Sequence, residues 1–227
     1  MSKVRKIFEY QIWHLFAVVI LIILIKVYAS NNPEIFDGAL WGINTSTWFW
    51  LAIAIPILHQ IYVWLIWRLE LYTKLFTKRY GPKTAFKLYS RVFSILFVGR
   101  LISIIILACS NKNSLNVEPV FAYALSFIII IPVIYLFYSV KRYFTVERAY
   151  GIDHFDKNYN EPFVKKGIFK FTNNGMYVYG LMILYLPGLL LTSEAALLVA
   201  LFNHVYIWVH YFFTEKPDMV AIYGKTP

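Results

Sequence analysis

The stretch "GMYVYGLMILYLPGLLLTSEAALLVALFNHVYIWVHYF", Gly175 to Phe212, holds two apolar runs parted only by Thr192-Ser193-Glu194. A helix that spans a bilayer needs about 20 mostly apolar residues. Runs at 176–191 and 194–213 therefore read as a tight helical hairpin whose first arm is too short to span unaided. The hairpin is led in by Asn173-Asn174-Gly175, residues for which a lipid-facing helix has no use. Two readings stand. Either Asn-Gly makes a turn and an Asn caps the next helix, or the chain here lines a polar pocket, where non-helical backbone at membrane depth is tolerated.

Four further apolar runs precede the hairpin, at 11–29, 47–67, 91–109 and 120–140. The fold class expected is an all-α integral membrane protein, with about six transmembrane helices and a C-terminal helical hairpin beside a cytoplasmic cofactor pocket. Composition agrees: 59% of the 227 residues are hydrophobic and 15% charged, with mean hydropathy +0.58, whereas soluble domains carry about 25% charged residues. The first run ends in Lys26-Val-Tyr-Ala-Ser-Asn-Asn-Pro33, without a small-residue cleavage site, and reads as a retained helix rather than a signal peptide. Residues 1–227 form one polytopic unit, in which 1–140 is a four-helix part and 141–227 carries a loop, the hairpin and a tail.

Nearly all of the 22 Lys and Arg fall on alternate connections: Lys3 to Lys6, Arg68 to Arg91, Lys141 to Lys170, and the tail. That alternation places both termini in the cytoplasm. Because these charges sit between apolar spans and not on a soluble face, the net charge of +10 gives no support to nucleic-acid binding. Cys109 has no second cysteine to pair with and reads as a packing or lipid-facing residue. His204 and His210 are six apart, off one helix face, with no Cys or carboxylate to join them, so no metal site is expected. Arg100 is the basic residue at membrane depth. It marks a functional position, or else its helix begins later and the side chain lies near the interface.

Polar chemistry gathers in the connection from Lys141 to Gly175, with Glu147, Asp153, His154, Asp156 and Glu161, and in the tail, with Glu215 and Asp218. No G-x-G-x-x-G, G-x-x-x-x-G-K-[ST] or G-x-S-x-G occurs. The blocks "ERAYGIDHF", "EPFVKKGIFKFTNN" and "TEKPDMVAIYG", in this order around the hairpin, resemble the catalytic module of phosphatidylethanolamine N-methyltransferases. More distantly they resemble isoprenylcysteine carboxyl methyltransferases. The resemblance covers about Tyr143 to Gly224. Gly175 stands where the family has Pro, Thr214-Glu215 where some members show two glutamates, and Asn173 where the carboxyl methyltransferases place a basic residue. The G-x-G of the small vertebrate-type enzymes is absent.

The resemblance implies S-adenosylmethionine as methyl donor, and phosphatidylethanolamine or its monomethyl and dimethyl forms as acceptor, in the endoplasmic reticulum or a bacterial inner membrane. On that reading Gly151, Gly167, Asn173, Asn174, Tyr177 and Glu215 are the cofactor-binding candidates: glycines for close approach, amides for the adenine edge, an acid for the cationic end and an aromatic ring for the sulfonium. His154 and Asp153, then Glu147 and Glu161, are candidates for removing the proton of the acceptor ammonium. Arg148, Arg142, Tyr150, Tyr159 and Arg100 are candidates for holding the phospholipid substrate. The competing functions are methylation of another lipid or of prenylcysteine, an NADPH-dependent membrane reductase, and a non-enzymatic transporter or scaffold.

Overall fold

Proline and asparagine set where the long helices begin. A computed structural model of the chain describes residues 2–159, 161–162 and 164–224. The order is α1 (Lys3–Ile7), α2 (Gln11–Asn31), an antiparallel ribbon of β1 (Ala39–Leu40) and β2 (Ile43–Asn44), α3 (Thr45–Thr73), α4 (Thr77–Tyr80), α5 (Pro82–Ser110) and α6 (Pro119–Ser139). There follow α7 (Val146–Ala149), α8 (Gly175–Val178), α9 (Leu186–Leu190), α10 (Glu194–His210) and α11 (Lys216–Tyr223). In the ribbon Ala39 pairs with Asn44 and Leu40 with Ile43. Pro82 and Pro119 open α5 and α6, where a missing N–H costs nothing. Asn44 caps α3 by accepting from the Thr47 N–H at 2.9 Å.

Among the described residues five helical stretches are long and apolar enough to cross a membrane: Lys3–Asn31, Thr45–Thr73, Pro82–Ser110, Pro119–Phe144 and Glu194–Tyr223. The sixth expected span is a shorter apolar piece, Gly175–Leu190. It is broken into α8, a 3-10 stretch at Gly180–Tyr185 and α9. As a regular α-helix that piece would rise about 24 Å, short of the roughly 30 Å of hydrocarbon. The other spans run past their apolar windows. α5 begins at Pro82, well before the apolar run at 91, so Arg100 sits mid-helix and not near its start.

The innermost span is the last, half of whose apolar window is buried against 22% for α2 and α6. Its Ala195, Ala196, Val199 and Ala200 pack into a core with Ala52 of α3 and Ala108 of α5. Small side chains let these backbones approach, which is how helices associate where no water drives them together. The hairpin turn is stitched to the 111–115 connection: Asn111 Oδ1 accepts from Ser193 Oγ (3.0 Å) and from the Ala195 N–H (3.1 Å), and the Leu115 N–H donates to the Thr192 carbonyl at 2.9 Å. Gly188 lets the two arms close, since a Cβ there would lie 2.8 Å from the Leu197 side chain.

Two π-helical turns, Val140–Phe144 and Tyr211–Glu215, interrupt the last turns of α6 and α10. Such turns carry one extra residue and recur at functional sites. Nearby, the fully buried Arg68 of α3 joins the ends of the chain. Its guanidinium donates to the carbonyls of Ile7 and Glu9 and of Phe213, and to Asp218 Oδ1 at 3.0 Å.

Candidate functional site

Downstream of the first π turn the backbone at Thr145 takes a positive φ of 73°, which a β-branched residue rarely adopts. Thr145 Oγ1 then caps α7 by accepting from the Arg148 N–H at 3.3 Å. Gly151 follows with φ 82°, and a Cβ there would meet the Trp67 ring at 2.5 Å. Only glycine lets the loop lie flat on that indole. The next turn, Ile152–His154, therefore places the His154 imidazole over Trp67, with ring centroids 4.2 Å apart and planes 18° off parallel.

His154 is held by two carboxylates. Its Nδ1 lies 3.0 Å from Asp153 Oδ1, and its Nε2 lies 3.5 Å from Asp218 Oδ2, an ion-pair contact longer than a hydrogen bond. Burial disfavours the cation, but the hydrogen bond and charge of Asp153, joined by those of Asp218, outweigh it and raise the His154 pKa to about 9. Asp153 answers in kind. Burial pushes its carboxyl up, and the hydrogen bond and charge of His154, with the hydroxyl of Tyr223 at 3.0 Å, bring it below the usual carboxylate value. His154 is thus a cation built into the wall, already protonated at neutral pH. That conflicts with its expected role as the base that frees an amine.

This wall borders a cleft of about 800 Å³, part of it open to solvent. Asn173, Asn174, Tyr177, Glu215, Arg148 and Gly151 also line it. Asn174 makes no capping bond with its side chain, so α8 starts without the Asn cap that the turn reading required. Of the expected cofactor-binding residues, Gly167 stands apart. A Cβ there would lie 2.5 Å from Ser139 Oγ, and its positive φ of 58° serves packing against the end of α6. Thr214 and Glu215 point different ways. Thr214 is fully buried and its hydroxyl accepts from Gln11 Nε2 at 3.3 Å, facing the first span, while Glu215 borders the cleft.

Arg148 lies over the Phe144 ring at 4.9 Å and donates to the Pro162 carbonyl at 2.8 Å. Glu147 and Arg142 are exposed and border neither this cleft nor its neighbour. Glu161 is exposed too, touching the site only through its backbone carbonyl, which accepts from Arg148 at 3.4 Å. Tyr159 is half-buried and lines neither space. The structure thus draws Asp153 and His154 into the site and leaves Glu147 and Glu161 without access to it.

Against this polar cleft lies a second, apolar cavity, whose empty space with its open mouth included is about 1090 Å³. Trp67, Ala149, Met176 and Tyr177 border both spaces. Tyr150 and Arg100 border the second, with His59 and His210. Phe97 of α5 and Phe137 of α6 also line it, and both are exposed, so the cavity opens sideways between those helices. Sequence reasoning missed Trp67, His59 and His210 as site residues. Trp67 and His59 lie in an apolar run with no motif, and His210 reads as an ordinary helix histidine.

The fold is that of an all-α integral membrane protein, and in it a polar cleft meets an apolar cavity that opens between α5 and α6. Residues 117–226 match the family model for phospholipid methyltransferases, and the chain carries a methyltransferase domain of that family. Neither the curated proteins nor the solved structures gave a match.

Proposed function

We propose that the protein transfers methyl groups from S-adenosylmethionine to the amine of phosphatidylethanolamine, or of its partly methylated forms, at the cytoplasmic membrane face. The observation that carries this reading is the wall of Trp67, Ala149, Met176 and Tyr177 shared by a polar cleft and a bilayer-facing cavity. One reactant is soluble and charged, the other a lipid, and this arrangement gives each a space suited to it with the reacting atoms at the boundary.

The cleft fits the donor by its chemistry. Glu215 would face the ammonium, Arg148 the carboxylate, and Asn173 and Asn174 the adenine edge or ribose. Tyr177 and Trp67 offer aromatic faces to a sulfonium. When bound, S-adenosylmethionine supplies a methyl group activated by positive sulfur. The chain's own residues do the rest by position: Gly151 allows the close approach at Trp67, and the partition of Met176 and Tyr177 keeps water from the boundary.

An acceptor ammonium must lose a proton before its nitrogen can attack. The apolar cavity favours the neutral amine, because burying an unpaired charge is costly. His59 and His210 line that cavity, where they are placed to hydrogen-bond the acceptor's headgroup. Neither ring nitrogen of His59, nor Nδ1 of His210, has a hydrogen-bond partner among the described residues. The test is methyl transfer from isotopically labelled donor into lipid mixed with purified protein, with the products separated by headgroup. Label in methylated ethanolamine lipids supports the reading; label elsewhere moves the acceptor, and no label with no donor binding ends it.

A further inference from the structure

Arg100 is 3% exposed, midway along α5, about 15 Å by helical rise from its Ser110 end. Its Nε and Nη2 have no hydrogen-bond partner, and no carboxylate lies within ion-pair distance of it, among the described residues. By contrast, the buried guanidinium of Arg68 donates to a carboxylate and several carbonyls. A guanidinium cannot shed its proton to escape such a place, and an unpaired charge at membrane depth is retained only where something pairs with it. What faces Arg100 is the apolar cavity, walled by residues such as Phe93, Leu136 and Leu181. An occupant that satisfies both is an amphiphile with one anionic group at the inner end of a hydrocarbon body. It enters from the bilayer between Phe97 and Phe137, where the cavity opens.

Building on the methyl-transfer reading above, we propose that Arg100 anchors the phosphodiester of the acceptor phospholipid inside the apolar cavity. The anchor fixes the depth at which the headgroup stops, leaving the amine, a two-carbon arm further on, to reach toward the boundary with the cleft. It also sets the acceptor class, because an amine lipid without phosphate leaves Arg100 unpaired. Arg100 is therefore a positioning and specificity residue, contributed by a helix outside the segment that matches the methyltransferase family.

The test is direct lipid binding by the full chain in mixed micelles, with three probes: phosphatidylethanolamine, a long-chain alkylamine without phosphate, and glycerophosphoethanolamine without acyl chains. The wild type should hold the phospholipid about tenfold or more tighter than the alkylamine, as a charge-assisted pair to phosphate implies. The chain-free phosphate compound should bind far more weakly than either, which separates a lipid headgroup from soluble phosphate as the ligand. Arg100→Gln should abolish the preference for phospholipid while leaving alkylamine binding within about twofold, and Arg100→Lys should restore part of it.

Equal wild-type binding of phospholipid and alkylamine would overturn the proposal, and that comparison needs no variant to fold. Equal weakening of both by Arg100→Gln would overturn it too. Labelled methyl transfer on the same preparations keeps the two ideas apart. Selective, Arg100-dependent binding without transfer sinks the reaction and leaves the anchor. Transfer with an unchanged phospholipid KM in Arg100→Gln sinks the anchor and leaves the reaction.

Discussion

Replacing Asp218 by Asn tests whether the charge cluster at the site holds the fold together. Asp218 is fully buried and its two oxygens face different cations: Oδ1 accepts from Arg68 Nε at 3.0 Å, and Oδ2 lies 3.5 Å from His154 Nε2. Asn keeps the shape and removes the charge, so two buried cations lose their shared counter-ion. Breaking a buried ion pair from one side costs about 3–5 kcal/mol. Arg68 keeps its carbonyl acceptors at Ile7, Glu9 and Phe213, and His154 keeps Asp153. The loss should then fall at the lower end, about 3 kcal/mol, which for a chain of this size lowers the midpoint of thermal unfolding by about 6–12 °C. The assay is thermal unfolding in detergent micelles. The double variant Arg68→Met/Asp218→Leu removes one charge of each sign and should recover a large part of the loss. If Asp218→Asn stays within about 1 kcal/mol of the wild type, the cluster does not work as described.

Other outcomes follow from the same geometry. His154 binds its proton more tightly in the folded chain, up to about pH 9 against 6.5 unfolded, so its pairing stabilises fully below pH 6.5 and is lost as pH rises through about 9. The free energy of unfolding measured across that window should fall by about 3 kcal/mol in the wild type, and the fall should be largely absent in His154→Gln. On the methyl-transfer reading, Glu215→Gln removes one of the two acids that border the cleft, the other, Asp153, being paired with His154, and should weaken S-adenosylmethionine binding about 10–100-fold by calorimetry. A change below about twofold would show that Glu215 does not face the donor's cation. Gly151→Ala puts a methyl 2.5 Å from the Trp67 ring on a backbone with φ 82°, and should cost about 1–3 kcal/mol while weakening both donor and lipid binding. Only the stability change would appear if Trp67 served neither space.

The all-α membrane fold was readable because spans announce themselves by length and hydropathy, and the hairpin because Thr192-Ser193-Glu194 is the one polar break in a long apolar run. The break in the first arm was less visible. Gly180 and Pro187 are present in the sequence, but nothing in composition says that the arm will divide into α8, a 3-10 stretch and α9. Near the cleft, Asn173, Asn174, Tyr177 and Glu215 were found through family-like blocks, and they do border one space. Gly167 packs on Ser139 and does not border the cleft; a glycine that yields to a side chain and one that yields to a ligand look the same in a sequence. Arg100 stood out as a charge at membrane depth, but Trp67 and His59 come from a helix that is apolar or aromatic at most positions. Which of these turns toward a cavity depends on how α3 and α5 rotate against α10, and that is settled by packing far along the chain.

The family segment runs from 117 to 226, yet the wall between the two spaces includes Trp67, and the apolar cavity is lined also by His59, Phe97 and Arg100. The C-terminal half is in this sense a tool without its handle. Grafted onto a different set of leading helices it would keep Asn173, Asn174 and Glu215, and would meet a new socket on the lipid side. Changes on the apolar side can therefore arise in α5, at positions such as Phe97 and Arg100, without touching the residues of the cleft, so the two spaces are free to drift at separate paces.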